Sequence, residues 1–308
     1  MSVLGIPKWI NRDLLEINNI SEVDDLLFEE VKSNLRKVLN KDNPMATVVI
    51  PAWNEELNIL RCIDSLSRTK SKFDFNILVI NNNSEDSTQE VLDRLGIDSY
   101  TQPIQGCGPA RQMGQVKSKG KYVLMGDADC LYPEIWVETM INHLKKPKTV
   151  CVYGKYSFLP HERISRFQFF IYERLRDVLC EIRHINRPYL NAYGMSMGYI
   201  RELGLKEGFV DRHIRGEDGR MCFDLMKYGK VRVVRSFKNR VWTPPRTIVN
   251  EGSLWDFFVV HFFRTLANFG SFLKKEKDHD TKTSSNTEYD VKQSVDKIKK
   301  SFSLKNKE

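Results

Sequence analysis

The sequence predicts an α/β fold built on a mostly parallel sheet, and three observations predict it. Short apolar runs recur: Ala46-Thr47-Val48-Val49-Ile50, Asn76-Ile77-Leu78-Val79-Ile80 and Lys121-Tyr122-Val123-Leu124-Met125. They alternate, up to about residue 150, with segments whose apolar residues repeat at helical spacing. That alternation puts helices on both faces of a parallel sheet. Each run also ends in a polar cluster, and such sheets bind ligands beyond the carboxyl ends of their strands.

Taken in order, residues 1–45 form a helical prefix. The stretch from Asp24 to Leu39 has helical spacing and mixed charge. Asn43-Pro44 ends it, because the residue before proline is pushed out of the helical region. Ala46 to Ile50 reads as a buried strand stopped by Pro51. Asn54 is the expected N-cap of the next helix, with Glu55 and Glu56 in its first turn and Leu57, Leu60, Ile63 and Leu66 on one face. The strand Asn76 to Ile80 runs into Asn81-Asn82-Asn83-Ser84-Glu85-Asp86-Ser87-Thr88, with Ser84 or Asp86 as a cap, and a helix follows from Gln89 to Leu95. A weaker strand lies near Ser99-Tyr100, and a helix spans Gly108 to Ser118. The strand Lys121 to Met125 ends in Gly126-Asp127-Ala128-Asp129.

Beyond residue 150 the pattern is less regular. His161 to His184 reads as a long helix rich in arginine and phenylalanine, and Asn191 to Phe209 is punctuated by glycine. Glu217 to Tyr228 reads as a helix and Val231 to Val234 as a strand. Ser253 to Phe272 is an aromatic-rich helix, and the lysine-rich, apolar-poor stretch from Lys274 is expected to be a disordered tail.

Composition narrows the class. With 41% hydrophobic and 29% charged residues, the 308-residue chain can fill a sizeable core. No apolar run approaches the ~18–20 residues that cross a bilayer, and no secretory signal is visible at Met1 to Lys8. The six cysteines lack metal-knuckle spacing and read as reduced thiols of a cytoplasmic protein. A net charge of +8 suits an anionic partner. A nucleic acid is the less favoured one: there is no zinc-finger spacing or recognition-helix signature, and the basic residues are dispersed.

Four clusters carry chemistry. Asp127-Ala128-Asp129 can turn two carboxylates toward one Mg²⁺ or Mn²⁺, ions that take hard oxygen ligands and share them with substrate phosphates; the plain alternative is a pair of acids in a turn. Asn81 to Thr88 is either an ordinary strand-to-helix loop or a recognition element for a nucleobase or ribose. Gly106-Cys107-Gly108-Pro109-Ala110-Arg111 is either loop chemistry or a close backbone approach with Arg111 as a phosphate partner. Gly216-Glu217-Asp218-Gly219 either places acids on a helix dipole or supplies a general base.

In combination these pieces resemble the family 2 glycosyltransferases of GT-A fold, over about residues 46–247. The resemblance implies a GT-A-like, Rossmann-related sheet, with a nucleotide-binding half (46–150), an acceptor half (151–247), a helical extension (248–273) and a tail (274–308). It implies that Pro51, Ala52, Trp53 and Glu55 contact the nucleoside. Asn82, where the family usually has aspartate, would hold the base, leaving the base's identity open. Arg111 would lie near the diphosphate, with Asp127 and Ala128 at the donor. Asp129 would be the direct ligand of Mn²⁺ or Mg²⁺, with Asp127 acting through ribose or water. Asp218 would be the catalytic base, with Glu217 beside it. Many relatives carry a further histidine ligand where this chain has Val241 to Thr247; either Arg246 would contact phosphate instead, or fewer protein groups would hold the metal. Tyr193-Gly194-Met195-Ser196-Met197-Gly198 would either shape an acceptor site or simply turn between packed elements.

The expected activity is inverting sugar transfer from a nucleotide-diphosphate sugar to a hydroxyl acceptor, a glycan or a lipid-linked one. The alternatives are a sugar-phosphate nucleotidyltransferase, which lacks its glycine-rich, lysine-containing loop here, and a binding protein without catalysis. Arginines 163, 166, 174, 176 and 183 interleave with Phe167, Phe169, Phe170, Ile171 and Leu175. Trp255, Phe257, Phe258, Phe262, Phe263 and Phe269 form a later aromatic group. Such segments either pack on the core or lie on an anionic membrane surface, which would place the protein at the inner face of the cell membrane.

Overall fold

The computed structural model describes residues 5–209 and 216–246. The strands β1 (Ala46–Ala52), β2 (Phe75–Asn81), β3 (Asp98–Thr101) and β4 (Tyr122–Met125) are parallel, in the spatial order β3-β2-β1-β4. Then come β5 (Thr149–Tyr153), the short β6 (Tyr156–Phe158), β7 (Met197–Ile200), β8 (Lys230–Val233) and β9 (Val241–Thr243). β7 lies antiparallel between β4 and β5, and β8 pairs parallel with β5 at the sheet's end. β6 and β9 make a separate parallel pair.

Period-2 alternation sorts the strand residues onto two cores. Val48 and Ile50 of β1 and Ile77 and Val79 of β2 face one cluster; Val49, Leu78 and Ile80 face the other. Truncating a buried residue such as Ile50 to alanine is expected to cost about 2–5 kcal/mol. The helices are α1 (Arg12–Glu16), α2 (Asp25–Val38), α3 (Glu56–Ser67), α4 (Thr88–Leu95), α5 (Cys107–Lys117), α6 (Trp136–Leu144), α7 (Arg166–Asn186), α8 (Arg201–Glu207) and α9 (Glu217–Leu225). α2 buries Phe28, Val31 and Leu35 in the same core as α3 and β1. Arg61 of α3 donates to the carbonyls of Leu14, Leu15 and Ile17, tying down the end of α1. The N-terminal prefix is thus packed into the sheet's own core.

Two local readings are corrected. β1 continues through Pro51 to Ala52. Its pairing with β4 stops at Val49↔Met125, and Pro51, like Val49, faces that side. The missing N–H falls where no partner strand runs. Asn54 is not the cap of α3: it has φ 53° and ends the strand in a left-handed turn, a conformation that asparagine tolerates. α6, α8, β5, β6, β7 and β9 were not expected. All six cysteines are free thiols. Among the described residues, no helix is long and apolar enough to cross a membrane. The aromatic-rich helix at Ser253 to Phe272 and the tail from Lys274 lie outside the described residues.

Candidate active site

The chain leaves β1 toward β2 on one side, and β4 lies on the other. The carboxyl ends of β1 and β4 therefore flank a switch point, where open α/β sheets form their binding crevice. The loops after β1 and β2 are locked together across it. Asn54 N–H donates to Ser84 Oγ at 3.0 Å, and Asn54 Oδ1 accepts from Glu85 N–H at 2.8 Å. Glu55 N–H donates to Thr88 Oγ1 (2.9 Å) and Glu56 N–H to Asp86 Oδ2 (3.1 Å), while Glu56 Oε2 accepts from Ser87 N–H (3.0 Å). The free N–H groups at the start of α3 are thus capped from the neighbouring loop.

This frame presents Trp53 with 54% of its surface exposed and buries Ala52. Asn82 N–H donates to the Ala52 carbonyl at 2.7 Å. Asn82 Oδ1 is buried with no hydrogen-bond partner, an arrangement that is costly unless a ligand completes it. Asn81 is used within the loop, donating to Gln89 and accepting from Ser84 N–H.

At the end of β4, Asp127 N–H donates to Tyr132 Oη at 2.8 Å, and Ala128 is buried between the two aspartates. Arg111 reaches Asp127 from α5. That helix seats closely on β1 because of Gly114, where a Cβ would come within 2.2 Å of Val49 Cγ1. Arg111 is buried and gathers three carboxylates. Nη2 donates to Asp127 Oδ1 at 3.0 Å, and Nη1 donates to Glu217 Oε1 at 2.5 Å and to Asp218. Asp218 Oδ2 also accepts from Gly194 N–H at 2.8 Å. Both terminal nitrogens of the expected diphosphate partner are therefore engaged by acids. Glu217 and Asp218 stand in the first turn of α9, as a dipole argument requires, but their side chains turn onto Arg111. Burial pushes the Asp218 carboxyl up to about 7; Arg111 opposes the rise, and Glu217 and Asp127 add to it. The same three acids hold the Arg111 guanidinium well above its ordinary value despite burial.

A second cluster stands beside the first. Arg246 makes a two-pronged pair with Glu55, at 2.7 and 2.8 Å, and lies 3.5 Å from Asp129 Oδ2. Burial, followed by the charge of Asp127, pushes Asp129 up to about 6, while Arg246 opposes the rise. Cys62 and Cys130 are buried against these aspartates, and burial first, then the carboxylates, pushes both thiols well up, so they stay neutral.

The crevice thus brings together Trp53, Glu55, Asn82, Arg111, Asp127, Asp129, Glu217, Asp218 and Arg246; Pro51 and Ala52 contribute backbone. Gly194 was expected only as part of the Tyr193 to Gly198 stretch, with no contact to Arg111 or Asp218 foreseen. A Cβ there would meet Arg111 Nη2 at 2.0 Å, a constraint that appears only once α5 and α9 are packed together. Among the described residues, no three His, Cys, Asp or Glu side chains form a ready cage for a metal. The donor set nevertheless fits a hard divalent cation. Asp127 and Asp129 supply the one or two carboxylates that such ions take when they share substrate phosphates. Five carboxylates here face two guanidiniums, an excess of negative charge that would repel a diphosphate unless offset.

Residues 47–196, just under half of the chain, match the family model described as Glycosyl transferase family 2, so this segment is similar to that family. Glycosyltransferase AglE of Haloferax volcanii is 29% identical over 122 residues, which are 37% of this chain and 40% of that protein. Dolichyl-phosphate beta-glucosyltransferase of Dictyostelium discoideum is 26% identical over 138 residues, 40% of this chain and 41% of that protein. The chain therefore spans less than half the length of these relatives. The mannosyltransferase PcManGT of Pyrobaculum calidifontis, solved with GDP-Man and Mn2+, matches 83% of this chain and 73% of its own, with a TM-score of 0.52 and 17% identity. It shares the GT-A fold.

Proposed function

We propose that this chain is an inverting glycosyltransferase that moves a sugar from a nucleoside-diphosphate sugar to an acceptor hydroxyl in glycan synthesis. The observation that carries the reading is the joining, through Arg111, of the Asp127-Ala128-Asp129 turn at the switch point to Asp218 on α9. The exposed Trp53 ring and the unpartnered Asn82 Oδ1 suit a nucleobase. Asp129, with Asp127, would hold Mn²⁺ or Mg²⁺, which when bound offsets the charge of the diphosphate leaving group. Asp218, with a pKa near neutrality, is matched to taking the acceptor's proton. The acceptor oxygen forms its bond to the anomeric carbon as the bond to the diphosphate breaks on the opposite face, so the configuration inverts. Glu217 stays beside Asp218 and shares Arg111 with it. The similarity to a dolichyl-phosphate beta-glucosyltransferase supports a glycan or lipid-linked acceptor. Along α7, Phe167, Ile171, Leu175, Val178 and Ile185 are exposed at near-helical spacing. That stripe supports peripheral contact with an anionic membrane at its cytoplasmic face, checked by flotation with anionic liposomes.

The test of the activity is donor turnover. A panel of UDP-, GDP- and dTDP-sugars with Mn²⁺ or Mg²⁺ should yield nucleoside diphosphate from one donor. Turnover should vanish with chelator and in Asp129→Ala and Asp218→Ala. Turnover that survives both substitutions sinks the assignment.

A further inference from the structure

A small open cleft, walled by Lys155, Tyr156, Arg176, Asp177 and Tyr193, lies one residue from the backbone grip on Asp218. Tyr193 stands at its edge with 40% of its surface exposed. The ring is held in place. It meets Tyr156 edge-on at 5.7 Å. Tyr156 is itself clamped by Arg176, whose guanidinium lies 3.6 Å from the ring centroid and donates to the Tyr156 carbonyl. Inside the cleft one donor is unmet: Arg176 Nη1 is buried and has no hydrogen-bond partner. A buried charged donor left unmade is costly. Charges of both signs line the wall and are paired, Asp177 with Arg174 and Arg240, Lys155 with Glu181. The wall therefore does not select an anion.

Size narrows the ligand further. The free space is about 30 Å³, room for about two water-sized groups. A hydroxyl or hydroxymethyl group fits; a ring does not, and must lie outside, over Tyr193. The base is close to that position. Gly194, the residue after Tyr193, donates its N–H to Asp218 Oδ2 at 2.8 Å. Successive Cα atoms are about 3.8 Å apart, so Tyr193 stands within one sugar ring's width of the residue that grips the base.

We propose that Tyr193 is the platform of an acceptor subsite for a saccharide. One pyranose ring lies with its C–H face on the tyrosine and sends a hydroxyl into the cleft to accept from Arg176 Nη1. The slightly positive C–H groups of a sugar face meet the negative face of an aromatic ring, and the hydroxyl satisfies the unmet donor without adding charge to a paired wall. The inference rests on the transferase reading above and makes the acceptor a sugar.

The experiment is saturation-transfer NMR on the full chain in Mg²⁺ with UDP and GDP present. The probes are methyl β-glucoside, methyl α-mannoside and methyl β-N-acetylglucosaminide, with glycerol as the control that has no ring. At least one glycoside should receive saturation, strongest on the C–H protons of one ring face, and glycerol none. Tyr193→Ala should cut that saturation at least fivefold, whereas Tyr193→Phe, which keeps the ring, should stay within twofold. Arg176→Lys keeps a cation beside Tyr156 but withdraws the second arm, and should weaken binding at least threefold. Calorimetry should find nucleoside diphosphate binding within twofold of the parent in all three variants. Undiminished saturation in Tyr193→Ala or in Arg176→Lys, or a loss in Tyr193→Phe as large as in Tyr193→Ala, overturns the subsite. Nucleoside diphosphate binding with no glycoside saturated overturns it too, and leaves the transferase reading standing. The converse, Tyr193-dependent sugar binding with no nucleotide binding at all, keeps the sugar site and removes the transferase.

Discussion

Replacing Arg111 with methionine removes one cation from three acids while keeping most of the side-chain volume. The side chains of Arg111, Glu217 and Asp218 are 5%, 8% and 14% exposed, and that of Asp127 is 30% exposed. Removing one partner of a buried ion pair costs about 3–5 kcal/mol, and the protected Glu217 and Asp218 place this variant in that range. The loss should depend on pH, with a definite sign. Arg111 holds the Asp218 pKa down against burial, so without it that pKa climbs above about 7. An unfolded aspartate titrates near ~3.9, so the folded variant binds the extra proton and gains stability as pH falls. The deficit relative to the parent is therefore smallest below pH ~7 and grows above it, by about 1.4 kcal/mol for each unit of added shift. Urea unfolding at several pH values measures this directly. In the pH profile of kcat/KM, the acid limb should move up by about one unit or more, with donor KM within about threefold of the parent. If donor KM rises steeply while the limb stays in place, Arg111 is the diphosphate contact the sequence suggested, and the organising role is wrong.

Three other substitutions probe the rest of the crevice. Gly194→Ala puts a Cβ 2.0 Å from Arg111 Nη2 and 2.9 Å from Asp218 Oδ1. It should destabilise the protein by about 1–3 kcal/mol and cut kcat by about a hundredfold, with nucleotide affinity retained in calorimetry. Asn82→Ala removes the buried, unpartnered acceptor and should weaken nucleoside diphosphate binding by about 1–3 kcal/mol with little change in kcat; unchanged affinity would exclude Asn82 from base recognition. Arg246→Gln releases Glu55 and Asp129 from a half-exposed cation, so Mn²⁺ titrated without nucleotide should bind a few-fold more tightly, in keeping with the ~0.2–1 kcal/mol of an exposed pair.

Much of the fold over residues 46–150 was legible because its signals are local. Val48 to Ile50 and Ile77 to Ile80 are apolar runs that period-2 burial requires, and Asp127-Ala128-Asp129 follows a strand end by sequence alone. What escaped depends on contacts distant in sequence. Thr149 to Tyr153 carries no stronger strand pattern than a buried helix segment would. It becomes a strand because β7 and β8 flank it. The cap of α3 comes from Asp86 and Thr88, thirty residues or more away, whereas the local signals point to Asn54. Arg111 follows a glycine-rich turn, a setting that suggests a phosphate partner. Nothing in residues 106–111 reveals that Glu217 and Asp218 fold back onto it.

Asp127 is the residue through which the two halves of the crevice influence each other. Its charge raises both Asp129 and Asp218, and its carboxylate holds Arg111 Nη2 at 3.0 Å. Neutralising Asp127 has two consequences for Asp218, and they have the same sign. The repulsion that disfavours ionised Asp218 disappears, and Arg111 is left with Glu217 and Asp218 alone, which strengthens its pull on them. Asp127→Asn should therefore lower the acid limb of the kcat/KM profile below about 7, opposite in direction to Arg111→Met, although both substitutions weaken the same cluster. A donor complex that offsets the charge of Asp127 would act on the base in the same direction, ionising Asp218 when the donor is in place. Finding the Asp127→Asn limb unmoved or raised would separate the donor turn from the base and leave Asp218 to be tuned by burial alone.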